Sequence, residues 1–160
     1  MKTDAKKPSA AREEELRELG KEFENYALTQ IRIHGFRITM PRVQVIQALG
    51  DTDVALTPYD IHQKILNKGG RIDVVSVYRI LDTLIGIGLV HRIGAADGYF
   101  PSRISGPGQR DAAHFVDVET GHVVEVEFPK PCKEHFLAES KKQGFELRAV
   151  KIEAIGAYKN

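Results

Sequence analysis

Hydrophobic positions recur at helical spacing in four successive stretches of the first 86 residues. Apolar residues three, four and seven apart predict a first helix that begins at Ser9 and is ended by Gly35. A second helix follows Thr39, and a third begins at Thr57, where "TPYD" can form a capping box. The fourth stretch, "DVVSVYRILDTLIG", has Asp73 as its expected N-cap. The pattern therefore predicts four helices in a row.

Each of these helices needs a buried face. In the third helix we expect Ile61, Ile65 and Leu66 to be buried. At about 100° per residue, the apolar face of the fourth helix consists of Val77, Ile80, Leu81 and Leu84. Tyr78 and Arg79 lie on the opposite face. An amphipathic helix needs polar residues outside, so these two residues are ordinary surface unless their neighbours indicate otherwise.

The residues after the fourth helix indicate a functional role for Tyr78 and Arg79. "LVHRI" and "GYF" are short apolar runs joined by "GAADG", which predicts a β-hairpin. Three helices followed by a hairpin is the order of a winged helix-turn-helix, whose last helix enters a major groove. The hydroxyl, phenol and guanidinium of "SVYR" would then face phosphates and base edges.

The C-terminal third predicts a second small unit. Alternation in "HFVDVETGHVVEVEF" predicts strands over residues 114–117 and 122–128. A helix opens at Pro131, with Phe136 and Leu137 expected to be buried, and a strand follows from residue 145. A β-β-α-β unit of this size cannot cover both faces of its own sheet. We therefore expect an α+β protein with a winged-helix domain at 1–103 and a small α/β dimerisation domain at 104–160.

Composition and charge limit the class of protein. The 160 residues are 42% hydrophobic and 28% charged, with a net charge of +1 and one cysteine, Cys132. One cysteine excludes an internal disulfide and a structural zinc site built from four cysteines. No apolar run approaches the length that spans a bilayer, so we expect a cytoplasmic protein with no membrane partner. Residues 37–103 carry eight Lys/Arg against six Asp/Glu, so DNA binding must depend on where the charges lie.

Four linked motifs resemble the ferric uptake regulator (Fur) family of bacterial repressors. "GFRITMPR", "LTPYDIHQKI", "VVSVYRILDTL" and "GLVHRI" match that family's DNA-binding half over residues 35–100 without a gap. The resemblance implies a homodimer that binds a pseudo-palindromic operator in double-stranded DNA. By position it implies these DNA contacts: Arg37, Thr39, Arg42, Ser76, Tyr78, Arg79 and Arg92.

The metal ligands of the family are mostly missing. "RDAAH" stands where that family has a histidine-rich segment, so only His114 is retained, and Glu125 stands at the position of the strand carboxylate. Residues 54–56 (Val-Ala-Leu) and Pro101 replace two other ligands, and the insertion "RISGPGQRD" blurs the register. A divalent metal (Fe, Mn or Zn) would need further ligands, and His122, His135 and Cys132 are the first to test, His122 foremost.

Three hypotheses follow. The first is a dimeric Fur-type regulator whose metal sensing has been lost or rebuilt; if it is lost, DNA affinity should not respond to metal. The second is a conventional metal-dependent Fur regulator of metal homeostasis or peroxide response that uses a displaced site. The third is an enzyme or a protein-binding module. The sequence has no nucleophile–base arrangement and no phosphate-binding loop, which argues against an enzyme.

Overall fold

The computed structural model describes residues 9–104 and 110–159. In chain order the elements are α1 (Ala10–Ile33), α2 (Met40–Gly50), α3 (Pro58–Asn67), α4 (Val74–Gly86), β1 (Val90–Ile93), β2 (Gly98–Pro101), β3 (Ala112–Asp117), β4 (Val123–Val126), α5 (Lys130–Lys142) and β5 (Lys151–Gly156). Within these described ranges, no helix combines the length and apolarity needed to cross a bilayer. The expected order of four helices, a wing hairpin and a β-β-α-β unit is confirmed.

Local capping explains where the helices begin. The side chains of Ser9, Thr57 and Asp73 each accept a hydrogen bond from a backbone N–H in the first turn of the following helix. Thr57 and Asp60 form the reciprocal capping box. Each such cap stabilises a helix by about 1 kcal/mol. Thr39 occupies the N-cap position of α2, but its hydroxyl makes no capping hydrogen bond.

The main core lies among the first four helices. It includes Ile31, Ile46, Leu49, Ile61, Leu81 and Leu84, none of which is accessible to solvent. The expectation that Leu66 is buried is wrong, because 42% of it is exposed. Ile65 faces the core, and the next residue on a helix points about 100° away from it.

The second sheet contains three strands in the order β4-β3-β5. β3 pairs antiparallel with β4 and parallel with β5, and α5 makes the crossover. The strand predicted from residue 145 begins only at Lys151, which pairs with Ala112, the first residue of β3. Residues 145–150 therefore have no partner strand in the part of the chain that the structure describes. The strand predicted to end at residue 128 likewise ends at Val126.

The outer surface of this sheet domain is unexpectedly apolar. Phe136 and Leu137 of α5, which we expected to be buried, are 48% and 43% exposed. Within α5, which lies wholly inside the described ranges, only Ser140 is buried. A three-stranded sheet with one short helix is too small to bury that helix's apolar positions within one chain.

The wing, which is the hairpin β1–β2, packs against this sheet. Ile93 and Phe100 of the wing form a small second core with Val116 of β3 and Val123 of β4. Glu153 of β5 strengthens the contact, because its carboxylate accepts hydrogen bonds from the N–H groups of residues 94 and 95 at the wing turn, at 2.6 and 3.0 Å.

The segment between α2 and α3 joins both hairpins through its backbone. The N–H of Ala55 donates to the carbonyl of Gly121 (3.1 Å), and the carbonyl of Asp53 accepts from the N–H of Val123 (3.0 Å). Leu56 exchanges two backbone hydrogen bonds with Tyr99 of the wing, at 2.8 and 2.9 Å. Residues 53–56 thus lie between the wing and the β3–β4 hairpin and hold the two together.

Candidate DNA interface and metal site

The fourth helix presents the expected pair of side chains. Asp73 accepts a hydrogen bond from the N–H of Ser76 at 2.8 Å, which fixes the first turn, and Val77 is fully buried on the core face. Tyr78 is 43% exposed and Arg79 is also exposed. Among the described residues, neither side chain is used in a hydrogen bond within the chain. Both can therefore reach a DNA groove without breaking an internal contact.

The start of α2 carries a second group of candidates. Arg42 donates to the carbonyl of Arg37 at 2.6 Å and lies 5.5 Å from the ring centre of Phe36. These contacts orient the guanidinium beside the N-terminus of α2, where the positive end of the helix dipole already favours a phosphate. The hydroxyl of Thr39 is not used for capping, so it can donate to a phosphate.

Two of the candidates already have partners within the chain. Ser76 donates its hydroxyl to Asp73 at 2.7 Å. Arg92 pairs with Asp97 at 2.7 Å and lies 5.3 Å from the ring centre of Tyr99. A DNA contact by Arg92 would have to displace the exposed Asp97 carboxylate.

Tyr59 is a further candidate that the sequence pattern did not single out. It is 65% exposed in the first turn of α3. The first helix of a helix-turn-helix crosses the DNA backbone, so an exposed phenol at its start is suited to a phosphate or a base edge. The signal was available, since Tyr59 lies directly after the proline of the "TPYD" capping motif.

His114 and Glu125 lie directly opposite each other on β3 and β4. A third residue, His91 of β1, joins them, so that one potential ligand atom from each of the three lies within 4.8 Å of the others. Nε2 of His91 is 3.4 Å from Oε1 of Glu125, and the two imidazole rings are 5.1 Å apart between centres. The wing and the three-stranded sheet thus contribute to one buried cluster, which we call the His-His-Glu cluster.

The electrostatics of the cluster favour the forms that bind a metal. Burial and the neighbouring His91 lower the pKa of His114 to about 4, so its imidazole is neutral at physiological pH. Nε2 of His114 is buried and has no hydrogen-bond partner among the described residues, and an orphaned buried nitrogen needs an explanation. Neutral imidazole is the form that coordinates metal ions.

Glu125 is held as a carboxylate. Burial alone would raise its pKa, but the contact with His91 and hydrogen bonds from the N–H groups of Arg103 and Ile104 lower the pKa of Glu125 overall. Ser102 donates to the same carboxylate at 3.3 Å. Two imidazoles and one carboxylate form a donor set found in zinc and non-haem iron sites, so the residues present fit a divalent metal ion.

The other candidate ligands lie elsewhere. His122 contacts Asp53 at 3.4 Å and Thr120 at 3.0 Å. His135 is exposed on α5 beside Phe136, and Cys132 is only partly buried. Within residues 9–104 and 110–159, none of these three belongs to a group of three potential ligands. Part of the insertion that blurred the register, residues 105–109, lies outside the described residues.

Comparisons with known proteins agree with this geometry. The model of the ferric uptake regulator family matches residues 33–155. The ferric uptake regulation protein of Pseudomonas putida is 30% identical over 123 residues, which cover 74% of this chain and 87% of that protein. The corresponding protein of Pseudomonas fluorescens is 27% identical over 121 residues, covering 74% of this chain and 95% of its own length.

Solved structures extend the likeness to the fold. A zinc uptake regulator complexed with zinc and DNA superimposes with a TM-score of 0.77 at 26% identity, covering 87% of this chain and 92% of that one. The ferric uptake regulator of Pseudomonas aeruginosa with manganese superimposes with a TM-score of 0.54 at 25% identity, covering 82% and 97%. With its winged helix, its small sheet domain and a family match over most of its length, this chain belongs to the ferric uptake regulator family of DNA-binding transcription regulators and is not an enzyme.

Proposed function

We propose that this protein is a homodimeric regulator that binds a pseudo-palindromic operator and whose DNA affinity responds to a divalent metal held by His91, His114 and Glu125. The observation that carries the proposal is the orphaned Nε2 of His114 beside two further ligands. Of the two states expected from the sequence, metal sensing lost or metal sensing rebuilt, this cluster supports the rebuilt one. Because it acts on chromosomal DNA, we propose that the protein works in the cytoplasm.

The proposed DNA surface combines the candidates of α2, α3, α4 and the wing. We assign the base-reading role to Tyr78 and Arg79, because recognition helices read bases through exposed residues near their N-termini. Phosphate contacts are assigned to the remaining residues: Arg37, Thr39, Tyr59, Arg42, Ser76 and Arg92. The zinc uptake regulator solved with DNA supports this mode of binding at the level of the fold.

Dimerisation is proposed through the C-terminal domain. β5 is an edge strand of the three-stranded sheet, and Ile155 on it is 65% exposed. Phe115, Phe136 and Phe145 add further exposed apolar surface to the same domain. An unprotected apolar edge strand is a template for pairing with another chain, and a second copy of this chain offers the same edge in return.

The metal would bridge the two domains proposed at 1–103 and 104–160. His91 belongs to the wing, whereas His114 and Glu125 belong to the sheet domain. When bound, the ion would supply a strong electrostatic cross-link between these segments. The residues themselves prepare the site, since the hydrogen bonds to Glu125 keep it ionised and oriented. The donor set suits Zn²⁺ and Fe²⁺ better than the all-oxygen shells typical of Mg²⁺.

One titration tests the proposal. DNA that binds the purified protein is selected from a random duplex pool, and affinity is then measured by fluorescence anisotropy after chelation and after adding Zn²⁺, Mn²⁺ or Fe²⁺. We expect at least one of these metals to change the affinity tenfold or more. We also expect near-stoichiometric metal in protein purified without chelator.

Matched histidine variants complete the experiment. His91→Ala should abolish the metal response and lower the metal content, whereas His135→Ala, which removes an exposed imidazole from α5, should change neither. If the wild type binds DNA equally well with and without every metal, metal sensing has been lost and this part of the proposal is wrong. If the protein binds no duplex from the pool, the proposal that it is a DNA-binding regulator is wrong.

A further inference from the structure

Arg103 connects the His-His-Glu cluster to the DNA-binding helices. Its guanidinium donates to the carbonyl of Gly50 and to the carbonyl of Thr52, both at 2.7 Å. Gly50 is the last residue of α2, where helix carbonyls lack partners and the dipole favours a cation. Arg103 thus fastens the C-terminal end of a helix whose N-terminal end carries the DNA candidates Thr39 and Arg42.

The backbone of the same residue reaches the candidate metal ligand. The N–H of Arg103 donates to the carboxylate of Glu125, as does the N–H of Ile104 at 3.0 Å. Together with the hydroxyl of Ser102, residues 102–104 wrap one side of this carboxylate. Any change in the position of Glu125 therefore acts directly on this short segment.

The guanidinium of Arg103 occupies an unusual place for a charged group. It is partly buried, lies 5.6 Å from the ring centre of Phe100 and is held by carbonyl oxygens. Burial lowers the pKa of Arg103, with Glu125 and Asp51 acting against that effect. A buried charge is costly unless its hydrogen bonds are well made. The side chain can therefore move only with the carbonyls that hold it.

We propose that Arg103 is a positioning residue that transmits occupancy of the His-His-Glu cluster to α2, and through α2 to the DNA-binding surface. A metal bound through Oε1 of Glu125, the oxygen nearest His91, would compete with the Ser102 hydroxyl for that oxygen and weaken Oε2 as the acceptor for the N–H groups of Arg103 and Ile104. Segment 102–104 would then shift, and the guanidinium of Arg103 would carry the shift to Gly50 and Thr52. This inference rests on the proposed metal response. It adds the path by which that response reaches the DNA.

Substitution of the Arg103 side chain separates its contact with Glu125, made by the backbone, from its contacts with Gly50 and Thr52, made by the guanidinium. Arg103→Gln keeps the backbone N–H that contacts Glu125 and loses the double contact with the carbonyls of Gly50 and Thr52. We expect its Zn²⁺ affinity, measured by competition with a chromogenic chelator, to remain within about threefold of the wild type. Allosteric couplings typically amount to about 5–150-fold, and we expect the metal-induced change in DNA affinity to fall to less than a third of the wild-type factor.

Two further variants control the experiment. Arg148→Gln removes an equally charged but exposed side chain and should leave both the Zn²⁺ affinity and the coupling unchanged. Arg103→Lys keeps the charge but lacks the planar fork needed for two carbonyls, so it should restore part of the coupling. It also replaces Arg103→Gln if thermal unfolding shows that variant to be unfolded.

The outcomes discriminate between the inference and the proposed function. If the wild type responds to metal and Arg103→Gln responds by the same factor, the inference is wrong and the proposed function stands. A loss of Zn²⁺ affinity as large as that of Glu125→Gln would also overturn it, because Arg103 would then merely shape the ligand. A wild type that binds DNA without any metal response would overturn both.

Discussion

Individual side chains on the proposed DNA surface differ in how freely they can meet DNA. Tyr78 and Arg79 are exposed and unengaged among the described residues, whereas Ser76 and Arg92 already satisfy Asp73 and Asp97. Exchange of an existing ion pair for a phosphate gains less free energy than a new contact by a solvated side chain. We therefore expect the largest single effects on specific binding at Tyr78 and Arg79.

The variant Arg79→Ala tests whether α4 is the recognition helix. Loss of a base contact costs about 1–3 kcal/mol, so operator affinity should fall roughly 5- to 150-fold while the melting temperature stays unchanged. The fold should be unaffected because Arg79 is exposed on the face opposite Val77. Anisotropy titration at moderate salt measures the change, with Arg17→Ala, on the exposed surface of α1, as the control. Affinity within twofold of the wild type would contradict the recognition-helix assignment.

At the scale of elements, the segment 53–56 is held by two hairpins at once. Its backbone pairs with Tyr99 of β2 on one side and with Gly121 and Val123 on the other. Backbone approach here is close, since a Cβ added to Gly98 would lie 3.0 Å from Ala55. Residues 54–56, which replace a metal ligand of the family, thus contribute backbone hydrogen bonds that join the two hairpins.

Gly98→Ala should accordingly destabilise the protein. The added methyl overpacks a tight backbone contact, which typically costs about 1–3 kcal/mol. Gly86→Ala is the matched comparison, because Gly86 ends α4 and a Cβ there meets nothing within 4 Å. That variant should be neutral or slightly stabilising. Urea unfolding monitored by circular dichroism gives both free energies, and equal stability of the two variants would refute the close-packing argument.

At the scale of the whole molecule, the apolar residues left exposed on the C-terminal domain need a partner. Phe136, Leu137 and Ile155 are each more than two-fifths exposed in the single chain. The wing, in contrast, already packs on the sheet through Ile93 and Phe100. We therefore expect a second copy of the chain to pair at the edge strand β5.

Ile155→Asp should weaken the dimer. A carboxylate in place of this exposed isoleucine on the edge strand would be desolvated in the dimer without a partner, so we expect the dimer dissociation constant to rise tenfold or more. Light scattering over a concentration series measures it, and binding to the pseudo-palindromic site should weaken in parallel. Ile33→Asp, at the equally exposed end of α1, is the control and should leave the dimer intact. A wild-type protein that binds DNA as a monomer would rule out the dimer.

The sequence alone was enough to predict the helices, their caps and the wing hairpin. Thr57 and Asp73 could be recognised as N-caps, and Ser9 as the start of the first helix, because capping and helix initiation depend on residues within one helical turn. Tyr78 and Arg79 could be placed on the outer face for the same reason, since helical periodicity is local.

Tertiary structure alone decided the candidate metal ligands and the contacts between the wing and the three-stranded sheet. His91 lies beside Arg92 in a four-residue strand, and nothing near it in the chain indicates His114 or Glu125. The three meet only because the wing packs on the three-stranded sheet through Ile93, Phe100, Val116 and Val123. Residues 54–56 likewise carry no ligand, yet their backbone joins both hairpins. Such contacts depend on how the surfaces of distant segments pack together, and the local spacing of residues does not predict that packing.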